Sequence, residues 1–252
     1  MPGDLPDILW LTDRSVYRPF GAELDRLDSL LSDEESHIWL ESVVRFRLSE
    51  NYALPSPGLT DPYHPRHLPA WQTPLRFIDC GAFDGDTLRH FTKNGYDFAA
   101  IAAFEPDMDN FQRLSETVRY YENVVCFPCA VGASTEIVRF NASSNTSSHI
   151  SANSVEGTPV QCVRLDEALP TFAPNLIKMD IEGAELDALN GARGIITKYR
   201  PGLAICLYHI PEHLWQIPLL LHNWNLGYRF YIRGHCHNSF ELVFYAIPEQ
   251  QI

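Results

Sequence analysis

The chain has 252 residues, of which 45% are hydrophobic and 20% charged; that is enough apolar material for one large domain, or a domain with a small cap, and too much for a disordered chain. Its 19 Lys and Arg against 32 Asp and Glu give a formal net charge of −13, and without any basic run the counterion release that drives nucleic-acid binding is missing. Neither a nucleic acid nor an anionic membrane is an expected partner, whereas a homo-oligomer is compatible with the sequence.

No charged-then-apolar leader opens the chain and no stretch approaches the length of a membrane span, so a soluble, cytoplasmic protein is expected. The six cysteines then read as reduced thiols. The glycosylation patterns at Asn141 and Asn145 read as chance.

The first 50 or so residues predict a small helical cap. Ser32 and Glu35 in "SDEESHIW" have capping-box spacing, and Trp39, Val43 and Phe46 follow at helical intervals. Prolines at 55, 57, 62, 65, 69 and 74 exclude a helix from the next stretch, leaving an extended connector with aromatic and histidine side chains. The expected division is residues 1–74 as cap and connector and 75–252 as the main domain.

From there apolar runs alternate with helical segments. "LRFIDC", "AAIAAFE", "NVVCFP", "NLIKMD", "LAICLYH", "YRFYIRG" and "FELVFYAI" read as strands, and "DMDNFQRLSETVRYY" as a helix with Phe111, Leu114, Val118 and Tyr121 on one face. That rhythm predicts an α/β fold with a parallel, doubly wound sheet. The Ser-, Thr- and Asn-rich segment from Ala130 to Leu165 interrupts it, and reads as a β-hairpin insertion with a polar loop.

Three strand ends carry the chemistry. "FIDCGAFDGDT" places Asp79 at the end of a strand, then Gly81 and Gly85 in a turn, then a helix start. The dinucleotide spacing G-x-G-x-x-G is absent, which argues against a nicotinamide-dependent oxidoreductase. An acid ahead of glycines suits a ligand with an ammonium group and no pyrophosphate, such as S-adenosylmethionine. The next strand ends at Glu105, 26 residues after Asp79, where a carboxylate can accept both hydroxyls of a ribose. In "LIKMDIEGAELDALNGA" Asp180 closes a third strand, and Glu185 stands in the first turn of the following helix, where a carboxylate suits the helix dipole. Asp180 and Glu182 also stand where they could cap that helix.

The runs "FIDCGAFDGDT", "FEPDMDN", "AVG" at 130–132 and "KMDIEGAE", with the closing "FELVFYAIP", resemble the FkbM family of S-adenosylmethionine-dependent methyltransferases in order and spacing, over roughly residues 75–247. The resemblance implies the Rossmann-like methyltransferase fold, a seven-stranded, mostly parallel sheet with an antiparallel last strand. It also implies O-methylation of hydroxyl groups, often on sugars or polyketide-like natural products. On it, Asp79, Gly81 and Gly85 hold the aminocarboxyl end of the cofactor, with Ala82, Phe83, Asp84 and Thr87 in the same turn. Glu105, with Pro106 beside it, takes the ribose; Cys129 and Ala130 border the adenine, Asn110 approaches the adenosine edge, and Asp180 sits near the transferring methyl.

An alcohol acceptor needs a positioned base, and histidine titrates in the right range. His209 at the end of "LAICLYH" is the first candidate and His149 in "SSHIS" the second, with Asp180 in reserve; His149, Glu182, His209 and His235 are the expected substrate contacts. "CFPC", Cys126 to Cys129, has no helix start behind its first cysteine to lower the thiol pKa, so no redox role is expected. His209, His213, His235 and His237 match no ligand signature, and methyl transfer to oxygen requires no metal, so none is expected. The expected partner is a small hydroxylated molecule. The competing reading is a catalytically silent protein that senses S-adenosylmethionine or S-adenosylhomocysteine, or serves as an assembly partner; turnover separates the two.

Overall fold

The computed structural model describes residues 17–48, 62–63, 67–141, 149–151, 157–236 and 241–249. His237, most of the proline-rich connector and most of the polar loop after Asn141 lie outside them. Seven strands form one sheet: β1 (Leu75–Cys80), β2 (Phe98–Phe104), β3 (Val124–Phe127), β8 (Leu176–Met179), β9 (Gly202–Cys206), β10 (Tyr228–Gly234) and β11 (Leu242–Pro248). Their order is β10-β11-β9-β8-β1-β2-β3. The five strands β3, β2, β1, β8 and β9 run parallel, and β10 and β11 pair antiparallel, as expected. By packing, the chain divides into two compact units, Pro69–Ile205 and a second made of the segment up to Leu68 with Cys206–Gln250.

In the unit Pro69–Ile205, the apolar runs are strands because they are covered on both sides: every residue of β8 and β9 is buried, and all of β1 except Arg76. The crossovers carry α3 (Asp86–Lys93), α4 (Met108–Thr117), α5 (Leu165–Ala168), α6 (Glu185–Gly191) and α7 (Arg193–Tyr199). Phe77 and Leu88 are fully buried, and Phe91 meets Phe77 edge-on at 5.3 Å. The run expected to be one helix through Tyr121 is α4 followed by a 3-10 turn at Val118–Tyr120. Of the four residues on its expected apolar face only Leu114 is buried, and Asp107 starts it by accepting the N–H groups of Asp109 and Asn110.

The expected hairpin insertion is wider than a hairpin. The strands β4 (Ala130–Val131), β5 (Glu136–Asn141), β6 (His149–Ser151) and β7 (Thr158–Val163) make a second sheet in the order β4-β7-β5-β6. The strand β5 pairs antiparallel with both β6 and β7, while β4 pairs parallel with β7. Val138, Ala130 and Cys162 form its small apolar core.

In the other unit, α1 (Gly21–Leu30) and α2 (Glu34–Leu48) confirm the helical reading of the amino-terminal segment, and Trp39, Val43 and Phe46 are buried. The capping residue differs from expectation. Asp33 accepts the Ser36 N–H at 2.9 Å, whereas the Ser32 hydroxyl accepts the Phe230 N–H at 3.1 Å and so serves β10. With α2 starting at Glu34, the N-cap position is Asp33 and N3 is Ser36, so a capping box of Ser32 and Glu35 falls one residue out of register. Arg233, 3% exposed, ties α2 to β10: its guanidinium reaches Asp33 at 2.5 Å, Glu35 at 3.3 Å and the Ser36 hydroxyl at 2.8 Å. The Trp39 ring lies where a β-carbon on Gly234 would stand, at 2.3 Å. The helix α8 (His213–Asn223) packs its buried Trp215 against Phe20, with ring centroids 4.8 Å apart. Among the described residues no helix is long and apolar enough to cross a membrane.

Candidate active site

The end of β1 is shaped by backbone constraints. Gly81 and Gly85 have φ of +79° and +84°, the left-handed region that glycine occupies at no steric cost. At Gly81 space forbids a side chain as well, because a β-carbon there would lie 1.9 Å from the Asp180 carbonyl oxygen. At Gly85, directly ahead of α3, it would lie 2.7 Å from Thr117 Cγ2. Phe83 takes φ +47° without being glycine and is 48% exposed, a strained, open position of the kind that collects at ligand sites. The Arg113 guanidinium lies 5.6 Å from its ring centroid.

Asp79 is the second residue from the end of β1 and is fully buried. Its register partner on β8 is Lys178, so the two side chains share a face of the sheet. Lys178 Nζ lies 3.1 Å from Asp79 Oδ1 and donates to the Gly81 carbonyl at 2.6 Å. Neither Asp79 oxygen accepts a well-directed hydrogen bond. Burial pushes the Asp79 carboxyl up to about 6; Lys178 opposes this, while Asp86 and Asp180 add to it. A buried carboxylate with unused acceptor capacity at the mouth of a glycine turn fits a cationic amino group.

Glu105, at the end of β2, has a role that sequence reading missed. Its Oε2 accepts the Phe83 N–H at 2.8 Å and its Oε1 the Asp107 N–H at 2.9 Å, so one carboxylate locks two loops. Burial raises its carboxyl, and the bonds from Asp107, Phe83 and Asn110 with the charge of Lys178 hold that rise back. These bonds leave the carboxylate with acceptor capacity to spare, which suits a hydroxyl. Pro106 follows in the same loop, and Asn110 sits in the first turn of α4, where Arg113 donates to its side-chain oxygen.

The remaining residues of the turn hold it in place. Ala82 is buried and donates its N–H to the Phe104 carbonyl at 3.0 Å, as Gly81 does. Asp84 is tied to Arg89 at 2.7 Å, with its carbonyl accepting from the Thr117 hydroxyl at 2.8 Å, and Thr87 is buried in α3. Cys129 precedes β4 and Ala130 begins it, beyond the stacked rings of Phe104 and Phe127, 4.6 Å apart. Burial raises the thiol pKa of both Cys126 and Cys129, so each is held as a thiol and not as the thiolate that redox exchange needs.

Asp180 follows β8 and donates its N–H to the Cys80 carbonyl at 3.1 Å. Glu182 and Gly183 then turn the chain at φ +56° and +103°. The N-cap of α6 is Ala184, which makes no side-chain cap bond. Glu185 stands in the first turn of α6 as expected, is fully buried, and bends back to accept the Ile181 and Gly183 N–H groups at 3.0 and 3.3 Å. The turn is therefore held from inside the helix.

The candidate histidines belong to other parts of the fold. His149 is the first residue of β6. His209 lies three residues past β9 in a turn, not within the strand as expected, is 8% exposed, and its ring lies 4.0 Å from that of Tyr208. His235 follows β10, and its Nε2 lies 2.6 Å from the Tyr245 hydroxyl. That hydroxyl is fully buried, takes a hydrogen bond from the Tyr63 backbone, and is held protonated by burial. The two side chains therefore share a hydrogen bond shut away from solvent. Among the described residues no three His, Cys, Asp or Glu side chains come together as a metal site.

A family model described as the methyltransferase FkbM domain matches residues 79–230. The fold is similar to the crystal structure of methyltransferase FkbM from Methylobacillus flagellatus KT, with a TM-score of 0.75 and 24% identity over 92% of this chain and 60% of that one. The chain thus spans 60% of the length of that protein. Weaker likenesses include Aeropyrum pernix fibrillarin in complex with natively bound S-adenosyl-L-methionine (TM-score 0.44, 12% identity, 72% of this chain and 70% of that one). An rRNA methylase from Streptococcus thermophilus is similar at a TM-score of 0.41 and 12% identity, over 69% of this chain and 86% of that one. No curated protein matches the chain in sequence.

Proposed function

As the chain belongs to the FkbM methyltransferase domain family, we propose that it transfers a methyl group from S-adenosylmethionine to a hydroxyl oxygen of a small polyhydroxylated acceptor, such as a sugar, a glycoside or a natural product. The observation that carries this reading is the buried Asp79 carboxylate, which accepts no well-directed hydrogen bond and faces a turn that only glycine can make at Gly81.

When bound, S-adenosylmethionine supplies an activated methyl on a sulfonium, a good leaving group. Asp79 meets its ammonium group, and the closeness of Gly81 to Asp180 leaves backbone where a side chain would intrude. Glu105 takes the ribose with the acceptor capacity that its bonds from Phe83, Asp107 and Asn110 leave. Cys129, Ala130 and Asn110 border the adenosine. These contacts fix the donor, and alignment of donor and acceptor can supply several kcal/mol, up to roughly 7–11 in well-oriented cases.

His209 acts as the general base on the acceptor hydroxyl, because only a neutral imidazole can take the proton. His149 and Asp180 are the reserve bases. Glu182 and His235 contact the acceptor.

The test is binding followed by turnover. S-adenosylhomocysteine should raise the melting temperature while NAD does not, because a ligand that binds only the folded state stabilises it. Methyl transfer from labelled S-adenosylmethionine to a panel of hydroxylated compounds should follow. If S-adenosylhomocysteine gives no shift, the cofactor assignment falls; if it binds and no acceptor is ever labelled, the protein is a sensor and not an enzyme.

A further inference from the structure

Lys178 stands inside an otherwise apolar strand, 2% exposed. Burying an ammonium is costly unless it is paired and hydrogen-bonded. Here its partners include Asp79 Oδ1 at 3.1 Å and the Gly81 carbonyl at 2.6 Å. Both belong to the turn that the cofactor reading makes its aminocarboxyl site, and neither partner is needed to build β8, whose backbone pairs with β1 and β9 without it.

We propose, on the basis of that cofactor reading, that Lys178 is a positioning residue: it holds Asp79 ionised and the Gly81 carbonyl fixed, so that the turn presents a charged acceptor to the amino group of S-adenosylmethionine.

The electrostatic surroundings require such a group. Asp86 from α3 and Asp180 from the end of β8 both disfavour the charge on Asp79, and burial disfavours it more strongly than either. The buried thiol of Cys80 on β1 and the half-buried thiol of Cys126 on β3 also feel that charge, and Glu105 at the end of β2 interacts with Lys178. Within this set it is Lys178, by its charge and its hydrogen bond, that lowers the Asp79 pKa. Removing its charge leaves a buried acid that is protonated at neutral pH, and a protonated carboxyl has lost its charge for the incoming ammonium. The bond to the Gly81 carbonyl adds a geometric role, since that carbonyl belongs to the residue whose φ of +79° sets the turn.

The test compares two ligands on the full chain. S-adenosylhomocysteine carries the aminocarboxyl group and 5′-methylthioadenosine does not, so the difference in their affinities reports that end of the site alone. Lys178→Met and Lys178→Gln should each weaken S-adenosylhomocysteine binding roughly tenfold or more at pH 7 and leave 5′-methylthioadenosine within about threefold of the parent. The loss should shrink as pH rises to 8, where Asp79 regains its charge. Lys178→Gln can still donate to the Gly81 carbonyl, so it serves if Lys178→Met does not fold. In an Asp79→Asn background either change should add little, because the charge it supports is gone. Equal losses for both ligands, or a pH-independent loss, would reduce Lys178 to a structural residue and overturn the proposal, as would variants that bind S-adenosylhomocysteine like the parent. A parent that binds neither ligand sinks the cofactor reading itself and this inference with it.

Discussion

Gly81 and Asp180 meet without room for one more carbon. A β-carbon on Gly81 would stand 1.9 Å from the Asp180 carbonyl oxygen, so two strand ends approach as closely as backbone permits. Gly81→Ala should therefore combine a left-handed backbone penalty with a clash against main chain that cannot move aside. We expect a stability loss on the order of 3 kcal/mol, read as a lowered denaturation midpoint. A midpoint equal to the parent's would mean that the two loops are not held together as described.

The Asp79 carboxyl gives a pH signature. Its folded pKa, about 6, lies above the ordinary carboxylate value, so the folded protein keeps a proton that the unfolded chain has lost. This contribution lowers stability as pH rises from about 4 to 6 and is constant above that. A bound ammonium group reverses the preference, because it favours the ionised acid. The shift in melting temperature caused by S-adenosylhomocysteine should accordingly grow between pH 5 and 7. A shift that is flat over this window removes Asp79 from the ligand.

Glu105→Gln distinguishes a ribose acceptor from a purely structural carboxylate. The amide oxygen can accept from either Phe83 or Asp107, and the amide nitrogen must then face the other N–H. That leaves one buried donor unsatisfied, costing about 1–3 kcal/mol of stability. Affinity for 5′-methylthioadenosine, which contains the ribose, should fall as well. Lost stability with unchanged affinity would leave Glu105 as the lock between two loops and nothing more.

For His209→Ala we expect kcat to drop roughly 10²-fold or more, with S-adenosylhomocysteine affinity near the parent's, as for a group that acts only in the transition state. The parent's rate should climb with pH through the imidazole range. If the variant turns over at the parent's rate, His149→Ala and Asp180→Asn become the next candidates.

The parallel sheet and the three acidic strand ends were legible in the sequence because both are written locally: apolar runs long enough to be strands, each closed by an acid, with a glycine turn after Asp79 and after Asp180. The environment of those acids was not legible. Lys178 is a charge inside the apolar "LIKM", and only the register of β1 against β8 makes Asp79 its neighbour. The two hydrogen bonds that Glu105 accepts from Phe83 and Asp107 span two loops, and Phe83 has a positive φ, which no propensity foretells for an aromatic residue. The four-stranded insertion was read as a hairpin because β4 has two residues and β6 three, too few for alternation to register. His209 was placed in a strand because "LAICLYH" is apolar throughout, while pairing stops at Cys206.

The Arg233 guanidinium carries a consequence for how this fold can be recombined. Its partners Asp33, Glu35 and Ser36 all lie at the start of α2, some 200 residues away in sequence, and Trp39 fills the space over Gly234. A chain begun at residue 75 would strip a buried cation of its counter-charges, a loss of about 3–5 kcal/mol where measured in other proteins, and would uncover β10. The amino-terminal helices and the penultimate strand are thus one heritable block. A chimera between relatives that exchanges α2 must exchange β10 with it, and a seam drawn by chain order alone cuts through the unit it is meant to preserve.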